Sequence, residues 1–435
     1  MEADFASLEK LQVRCCIAGG GPAGMMLGFL LARAGIEVLV LEKHADFLRD
    51  FRGDTVHPST LETMHELGLL EEFLKRPHQQ VRQVRARIGN EEIVLGDMSH
   101  LPTRCRFMVL MPQWDFLDFL AEQGRRYPTF HLRMQTGVTG LIEDAGRVAG
   151  VRAKTPTGGL EIRAELVVGA DGRASTVREC SGLAVEDVGA PTDVLWMRLS
   201  RHADDPDEVS IYTDRGKSLM LLNRGDYWQC GFPVPKGAAA EMQTKGIEDF
   251  RAGIVALAPF FRDRVAELRD WSDLKILTVK VDRLRQWHRP GLLCIGDAAH
   301  AMSPVGGVGI NLAIQDAVAA ANILEGPLRE GTVSADDAAK IQRRRAFPTR
   351  FTQRMQELIR KQAGRGLLNP GPKRLPWLVR LLERTKLPCR VRNRVIAVGI
   401  RPEHVKTPDV EKRSLSRPCN AQSEDVGGPS STEPL

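Results

Sequence analysis

Residues 13–42 read VRCCIAGGGPAGMMLGFLLARAGIEVLVLE and contain the pattern that decides the fold. An apolar run leads into three glycines with the spacing G-x-G-x-x-G, at Gly19, Gly21 and Gly24, and an apolar helical stretch follows them. A second apolar run ends at Glu42, 18 residues after Gly24. The order of strand, glycine loop, helix and strand predicts a βαβ unit with a parallel sheet.

Each glycine of this loop has a physical role. The first allows a tight turn, the second lets a diphosphate approach the backbone, and the third lets the helix pack closely on the strand. The free N–H groups and the positive dipole end of a helix that starts near Pro22 and Ala23 would hold the phosphates. Glu42, followed by Lys43, is placed to accept the hydroxyls of a ribose. The loop therefore predicts a dinucleotide site, with NAD and FAD both open.

Two further motifs follow predicted strands. The first is ELVVGADGR at 165–173, which contains an Asp-Gly turn at Asp171. The second is GDAAH at 296–300, which leads through PVGGVG at 304–309 into an apolar helix. Either motif alone is an ordinary strand-to-turn sequence. The two glycine-rich loops together, in this order, indicate a protein that holds the two ends of one flavin.

The composition restricts the class of protein. The chain has 435 residues, 43% of them hydrophobic and 27% charged, which is ordinary for a soluble protein. Its net charge of +6 comes from scattered arginines and includes no basic block that would indicate nucleic acid. The eight cysteines have no C-x-x-C pair and no metal spacing, so we expect no metal and a reducing, cytoplasmic location. We expect no signal peptide and no transmembrane segment.

Periodicity predicts the elements between the motifs. Alternating patterns indicate short strands over 81–95 and 130–168 and antiparallel strands over 193–234. The sequence STLE at 59–62 is typical of a capping box that opens a helix. A basic helix is predicted over 343–361.

The three motifs, in this order, resemble those of the single-component flavoprotein monooxygenases typified by p-hydroxybenzoate hydroxylase. The resemblance covers about residues 12–325, with the helical region to about Val405 matching the family's C-terminal part. It implies an α/β fold with a Rossmann-like FAD-binding domain, an inserted antiparallel β-sheet substrate domain and a helical C-terminal region. The boundaries we expect are 1–77, 104–182 and 276–329 for the FAD-binding domain, 78–103 and 183–275 for the substrate domain, 330–405 for the helical region, and 406–435 for a disordered tail.

The resemblance also assigns cofactor contacts by position. Asp297 would bond the ribityl chain of FAD, Pro304 would lie along the isoalloxazine ring, and the N–H groups at the following helix start would face flavin N1 and O2. Arg52 and Asp171 would serve FAD or NAD(P)H, and Arg178 is a weaker assignment. The residues expected to bind cofactor are Gly19, Gly21, Pro22, Ala23, Gly24, Glu42, Lys43, Arg52, Gln113, Asp171, Asp297, Pro304, Gly306, Gly307, Gly309, Ile310 and Asn311.

The implied activity is a monooxygenase that uses NAD(P)H as a transient reductant and O₂ to insert one oxygen atom into an aromatic or polycyclic small molecule, through a flavin C4a-hydroperoxide. Backbone donors at a helix start would stabilise the anionic reduced flavin, and a dry pocket would protect the reactive oxygen. The implied partners are the substrate and O₂, and a homodimer is left open. Substrate identity, the choice between NADH and NADPH, and the outcome (hydroxylation, epoxidation or ring insertion) are not specified by the sequence.

The substrate is expected over the sheet of residues 190–234. Tyr212 is the one candidate for a catalytic side chain, because a phenol hydroxyl could polarise a substrate. His57 is expected to be a turn residue before Pro58, and His300 to make structural hydrogen bonds. The candidate lining residues, any of which could instead be plain core, are Met197, Tyr212, Met220, Leu222, Trp228 and Phe232.

Three alternatives compete with this function. A halogenase or isoprenoid reductase could share the fold, although none of the six tryptophans lies in the W-x-W-x-I-P segment that marks such halogenases. A thiol-disulfide flavoreductase would need a redox cysteine pair, which the adjacent Cys15 and Cys16 cannot form. A redox-silent FAD-binding interaction protein is the third.

Overall fold

A computed structural model describes residues 9–48, 55–206, 209–367 and 386–411. Arg52 and most of the expected tail, 412–435, lie outside the described residues. The strands in chain order are β1 (Glu9–Ala18), β2 (Val38–Leu41), β3 (Thr55–Val56), β4 (Gln79–Val81), β5 (Gln83–Ile88), β6 (Glu91–Asp97), β7 (Met108–Leu110), β8 (Phe130–Arg133), β9 (Gly137–Asp144), β10 (Arg147–Thr155), β11 (Gly158–Gly169), β12 (Val185–Asp187), β13 (Thr192–Ser200), β14 (Val209–Asp214), β15 (Lys217–Asn223), β16 (Tyr227–Pro235), β17 (Lys275–Leu277), β18 (Asp282–Leu284), β19 (His288–Arg289), β20 (Leu292–Cys294) and β21 (His300–Ala301). The helices are α1 (Pro22–Arg33), α2 (Pro58–Glu66), α3 (Leu70–Phe73), α4 (Gln113–Gly124), α5 (Thr176–Ser181), α6 (Ala239–Lys245), α7 (Ile247–Leu257), α8 (Gly309–Glu330), α9 (Ala335–Leu367) and α10 (Lys386–Ala397).

The main sheet is built around β1. Its strand order is β19-β20-β11-β1-β2-β8, and the antiparallel pair β9 and β10 extends from β11. Strand β1 runs parallel to β2 and β11, and β11 runs parallel to β20. Parallel strands covered on both faces are continuous apolar runs, and every residue of β2 and β20 is buried accordingly. The carboxyl ends of β1, β2, β11 and β20 therefore meet at one edge of the sheet.

Helix α1 packs on this sheet and on α8. The stretch Val305–Glu330 is long and apolar enough to cross a membrane by length and composition, but 78% of its most apolar window is buried inside the protein. In this structure it is the central core helix, because Ile314, Ala317 and Leu324 of α8 are buried in the main hydrophobic cluster.

A second sheet carries the predicted antiparallel strands. Its order is β17-β13-β16-β15-β14-β5-β6, so two distant parts of the chain build it. Strand β5 joins β14 in parallel, while the remaining pairs are antiparallel. This arrangement confirms the expected fold class of a Rossmann-like domain with an inserted, mainly antiparallel sheet. The numerical domain boundaries stay a prediction.

The C-terminal part is helical and packs back on both sheets. Helix α9 packs against α8, and α10 packs against β6. Two side chains fasten α10 to the β6 strand, because Asn393 donates to the Asp97 carbonyl at 2.9 Å and Arg392 donates to the Leu95 carbonyl at 2.8 Å. The first residues assigned to the tail are held as well, since the Thr407 carbonyl accepts from Arg33 at 2.8 Å.

The predicted capping box is wrong. Helix α2 begins at Pro58 with His57 as its N-cap, and no side chain caps it. Proline is favoured in the first helical position because its φ is already helical and its missing N–H is not needed there. Glu62 instead accepts a hydrogen bond from the Arg104 backbone.

Candidate functional site

The three glycines of the first loop meet different surroundings. Gly19 has φ +108°, and a Cβ there would lie 2.4 Å from the Ala170 carbonyl oxygen. A Cβ on Gly24 would lie 2.0 Å from the Gly19 carbonyl oxygen, so this glycine is needed for α1 to pack on β1. A Cβ on Gly21 would have only the Ala170 oxygen near it, at 4.0 Å. The fold therefore requires Gly19 and Gly24, while Gly21 faces open space.

Among the described residues, no side chain caps the N-terminus of helix α1. Its N-cap is Gly21, and its first turn holds no acidic residue. The first intrahelical bond runs from Met25 N–H to the Gly21 carbonyl at 2.9 Å, which leaves the N–H groups of Ala23 and Gly24 for an outside acceptor. An anion is the group that such a helix start favours.

Glu42 lies where β2 ends, beside the same loop. It is buried to 9% exposure and accepts hydrogen bonds from the N–H of Gly20 at 3.2 Å and of His44 at 3.0 Å. These bonds fix its carboxylate against the glycine loop, and the adjacent Lys43 is exposed. That this carboxylate accepts the hydroxyls of a ribose stays a prediction.

The second loop touches the first. Gly296, with φ +58°, would place a Cβ 3.1 Å from the Ala23 Cβ, so the two motifs are in contact although about 280 residues separate them. Asp297 is half-buried, and its carboxylate accepts from Arg173 Nε at 3.1 Å. Arg173 follows the Asp-Gly turn directly, so this ion pair joins the second and third sequence motifs.

Asp171 has a structural role in this structure. Its carboxylate accepts from the Ser175 hydroxyl and from Val177 N–H, which fixes the start of α5. Burial raises the pKa of Asp171 above its ordinary value, although these hydrogen bonds oppose that rise. Arg178 is buried and pairs with Asp282 at 3.2 Å. Neither side chain reaches toward Asp297 as Arg173 does.

Two glycines with positive φ angles and one buried histidine determine the conformation of the loop before α8. Gly306 and Gly307 have φ of +80° and +62°. His57 Nε2 lies 2.9 Å from the Gly306 carbonyl oxygen. Burial, only partly offset by this carbonyl and that of Ile396, lowers the pKa of His57 to about 4. His57 is therefore neutral at pH 7 and donates its Nε2 proton to the loop.

Asn311 ties the start of α8 to the same segment. Its Oδ1 accepts from His57 N–H at 2.9 Å and from the Thr60 hydroxyl at 2.7 Å. The helix has no side-chain cap and no acidic residue in its first turn. Since the Asn311 side chain is used in this way, only backbone N–H groups at Gly309, Ile310 and Asn311 remain for a ligand. The nearby Pro304 and Gly309 are half-buried, and Gly306 is exposed.

Gln113, which the resemblance assigns to FAD, is the first residue of α4, and its side chain is half-buried.

These observations fit FAD. Two uncapped helix starts face the same edge of the sheet, one beside the open space at Gly21 and the other beside the positive-φ glycines. A fixed carboxylate, Glu42, stands at one end and a half-buried carboxylate, Asp297, stands between. Phosphates, ribose hydroxyls and an anionic ring need these groups in this order.

The two faces of the second sheet have different neighbours. Met197, Tyr212, Trp228 and Phe232 point into a cluster, called here the outer cluster, that includes Phe250 and Ile254 of α7. Tyr212 lies there with the Phe260 ring 6.0 Å away, and no described residue of the outer cluster comes from the glycine loops. The structure thus separates the only catalytic candidate from the motifs.

The opposite face forms what we call the inner cluster. It contains Val194, Trp196 and Leu222 with Met220 packed on it, and it includes Ala397 at the end of α10. The preceding residue, Ile396, packs on Met302, Val308 and Leu312 beside the second loop. Of the predicted lining residues, Met220 and Leu222 are therefore on the face that α10 connects to the loop.

Sequence reasoning missed two residues of this site. Arg173 contacts Asp297, and its only sequence signal is its position directly after the Asp-Gly turn. His57 was expected to be only a turn residue before Pro58, but it is the N-cap of α2 and its buried ring also holds Gly306, a contact 249 positions away in the chain. His300 makes the expected structural contact, with its Nε2 2.6 Å from Asp316.

Comparison with known proteins gives a consistent result. A family model described as "FAD binding domain" matches residues 12–355. The chain is 34% identical over 344 residues to 6-methylpretetramide 4-monooxygenase of Streptomyces rimosus, covering 78% of this chain and 82% of that protein. It is 29% identical over 318 residues to rifampicin monooxygenase of Streptomyces venezuelae, covering 69% of this chain and 61% of that protein. Among solved structures, an anhydrotetracycline hydroxylase from Streptomyces rimosus has a TM-score of 0.70 at 25% identity, covering 89% of this chain and 76% of that chain.

Proposed function

The chain belongs to the FAD-dependent monooxygenase family, and from that premise we propose that it transfers one oxygen atom from O₂ to a polycyclic phenolic compound at the expense of NADH or NADPH. The observation that carries the proposal is the contact between Gly296 and Ala23, which brings the two glycine loops into one site. The fused-ring substrate class is suggested by the relatives named for 6-methylpretetramide and anhydrotetracycline.

The chain's own groups divide the work along the cofactor. Ala23 and Gly24 N–H groups and the α1 dipole would hold the diphosphate, and Glu42 would accept from the adenosine ribose. Asp297, oriented by Arg173, would accept from the ribityl hydroxyls. Arg52 and Lys43 remain proposed contacts on the adenosine or nicotinamide side.

At the ring end, bound FAD would supply the redox and oxygen chemistry. Backbone N–H groups at Gly309 to Asn311 would stabilise negative charge near flavin N1 and O2, because they lie at the positive end of the α8 dipole. Neutral His57 adds no charge of its own at this end while it fixes Gly306.

We place the substrate between the inner cluster and the loop at Pro304. Trp196, Met220 and Leu222 offer an apolar wall, and α10 connects that wall to the loop. A cavity lined by Val308 and Ile396 measures about 40 Å³, far below the ~300 Å³ at the low end of ligand pockets. This cavity, which lies against α8, α9 and α10, is therefore too small to hold a fused-ring substrate. We also propose a cytoplasmic location, since all six cysteines with described side chains are free.

The proposal is tested with purified protein and an absorption spectrum. A flavin gives a band near ~450 nm, and anaerobic NADH or NADPH should bleach it faster when an accepted fused-ring phenol is present. Admission of ¹⁸O₂ should then place one ¹⁸O atom in the product, read by mass spectrometry. A single-ring phenol serves as the size control.

Each other outcome has a distinct meaning. Protein that cannot be loaded with FAD would overturn the whole assignment. Bleaching without oxygen transfer to any phenol would favour a halogenase or reductase on this fold. FAD binding without any bleaching by either nicotinamide would favour a redox-silent protein.

A further inference from the structure

A row of buried ionisable side chains lies behind the Gly296–Asp297 turn. Asp316 of α8 is fully buried. Its Oδ2 accepts from Gly296 N–H at 3.1 Å and lies 2.6 Å from His300 Nε2, while its Oδ1 accepts from Arg345 Nε at 2.9 Å. We call His300, Asp316, Arg345 and Glu403 the Asp316 row.

The row continues into the C-terminal segment. Arg345 Nη1 is 3.6 Å from Glu403 Oε1 and donates to the Arg401 carbonyl at 3.5 Å. Glu403 is buried to 1% side-chain exposure and also accepts from Arg344 Nε at 2.7 Å. The Glu403 N–H donates to Gln315, the neighbour of Asp316. One set of contacts therefore runs from the second glycine loop through α8 and α9 to residues 398–405.

The burial of Asp316 gives these contacts their importance. A carboxylate without water must be paired and hydrogen-bonded, because removing one partner leaves an uncompensated buried charge. Three partners converge on Asp316, and one of them is the backbone of the turn itself. The same turn also meets Ala23 of α1. Asp316 thus fixes the position of the Gly296 backbone, and with it the position of the Asp297 carboxylate.

We propose that Asp316 is a positioning residue for the flavin, and that Arg345 and Glu403 couple cofactor retention to the docking of residues 398–405. The proposal rests on the assignment of the Gly296–Asp297 turn to FAD. Coupling of this kind is reciprocal, so FAD should stabilise the C-terminal segment as much as the segment stabilises bound FAD.

The test uses the full chain and a matched control variant. Asp316→Asn keeps the size of the side chain and removes its charge. The control is Asp205→Asn, because Asp205 also forms a buried pair with an arginine, Arg264, at 2.6 Å, in the outer-cluster region. For each protein we would measure the FAD dissociation constant by flavin fluorescence and the amide hydrogen exchange of peptides covering 398–405, with and without FAD.

We expect Asp316→Asn to weaken FAD binding about tenfold or more, within the usual range of coupling between sites. In the wild-type chain FAD should slow exchange in 398–405, and the variant should lose that protection. Asp205→Asn should lower the melting temperature yet keep both the FAD affinity and the protection.

Equal FAD affinities for the wild type and Asp316→Asn would overturn the proposal, as would wild-type exchange in 398–405 that ignores FAD. A wild-type chain that binds no FAD would instead overturn the proposed function. If Asp316→Asn does not fold, Glu403→Gln replaces it, since it removes a charge at the far end of the row without touching the turn. Unchanged FAD affinity in Glu403→Gln would then contradict the coupling.

Discussion

Substituting two glycines of the first loop separates cofactor binding from folding. Gly21→Ala places a methyl group in open space, because its nearest non-local neighbour is 4.0 Å away. Its φ of −77° and ψ of −178° suit any residue. The apoprotein should therefore keep its stability. Gly24→Ala drives a Cβ to 2.0 Å from the Gly19 carbonyl oxygen, and the resulting shift should cost about 1–3 kcal/mol or more.

The effect on FAD binding should be the reverse, because Gly21→Ala acts directly on the cofactor site and leaves the fold intact. In Gly21→Ala the methyl group occupies the path by which a diphosphate approaches Ala23 and Gly24 N–H. A hydrogen bond to a charged group contributes about 1.5–3 kcal/mol, so losing one should weaken binding about 10- to 100-fold. Gly21→Val should abolish FAD retention because it fills more of the same space.

The assay is an FAD titration followed by flavin fluorescence, with thermal unfolding of each apoprotein measured in parallel. Gly21→Ala with wild-type affinity would refute the assignment of this loop to the diphosphate. Gly24→Ala with wild-type apoprotein stability would refute the steric argument for helix packing.

Three further predictions concern pH, the buried histidine and the substrate wall. Hydrogen bonds from Arg264 and Trp228 outweigh burial and lower the pKa of Asp205 from 3.8 to about 2. Its contribution to the free energy of unfolding, about 2 kcal/mol, is therefore complete above pH 4 and lost as pH falls through 2. Urea unfolding from pH 5 to 2 should show this loss, and Asp205→Asn should flatten the pH dependence. Burial lowers the pKa of His57 from 6.5 to about 4, so the unfolded chain binds a proton at a higher pH than the folded chain does. The free energy of unfolding should therefore fall by about 3 kcal/mol as the pH is lowered from 6.5 to 4. A His57→Phe chain that keeps this slope would contradict the assignment. Leu222 faces the inner cluster and Leu221 the outer cluster, so Leu222→Phe should raise the substrate KM at unchanged FAD affinity, whereas Leu221→Phe should lower the melting temperature and leave KM alone; the reverse pattern would move the substrate to the other face.

Local patterns predicted the elements well where one strand or loop carries its own signal. The run ending at Gly19 and the strands of residues 193–234 were found because apolar periodicity and turn residues are local. The pairing of β5 with β14 could not be predicted in this way, since about 120 residues separate these strands. Helices α6 and α7 were also not predicted, although α7 covers one face of the second sheet.

The site shows the same division between local and distant information. Glycine spacing and the family resemblance were enough to identify the loops and Asp297. They suffice because a loop of this kind needs its glycines at fixed spacings in the sequence. Alternation along β14 gave Tyr212 two equal faces to choose from, and the position of α7 decided between them. The Arg173–Asp297 and His57–Gly306 contacts each join residues more than 100 positions apart, and only the folded chain brings them together.

The order of strands in the main sheet has a consequence for synthesis. Strand β1 needs β11 on one side, and β11 in turn needs β20, which leaves the ribosome about 250 residues after β2. At 5–20 residues per second this interval lasts on the order of 10 to 50 seconds. Until β20 emerges, the edge of β11 at Val167 to Gly169 has no permanent partner. The growing chain should therefore engage chaperones, and FAD should enter only after the second glycine loop and the start of α8 have been synthesised.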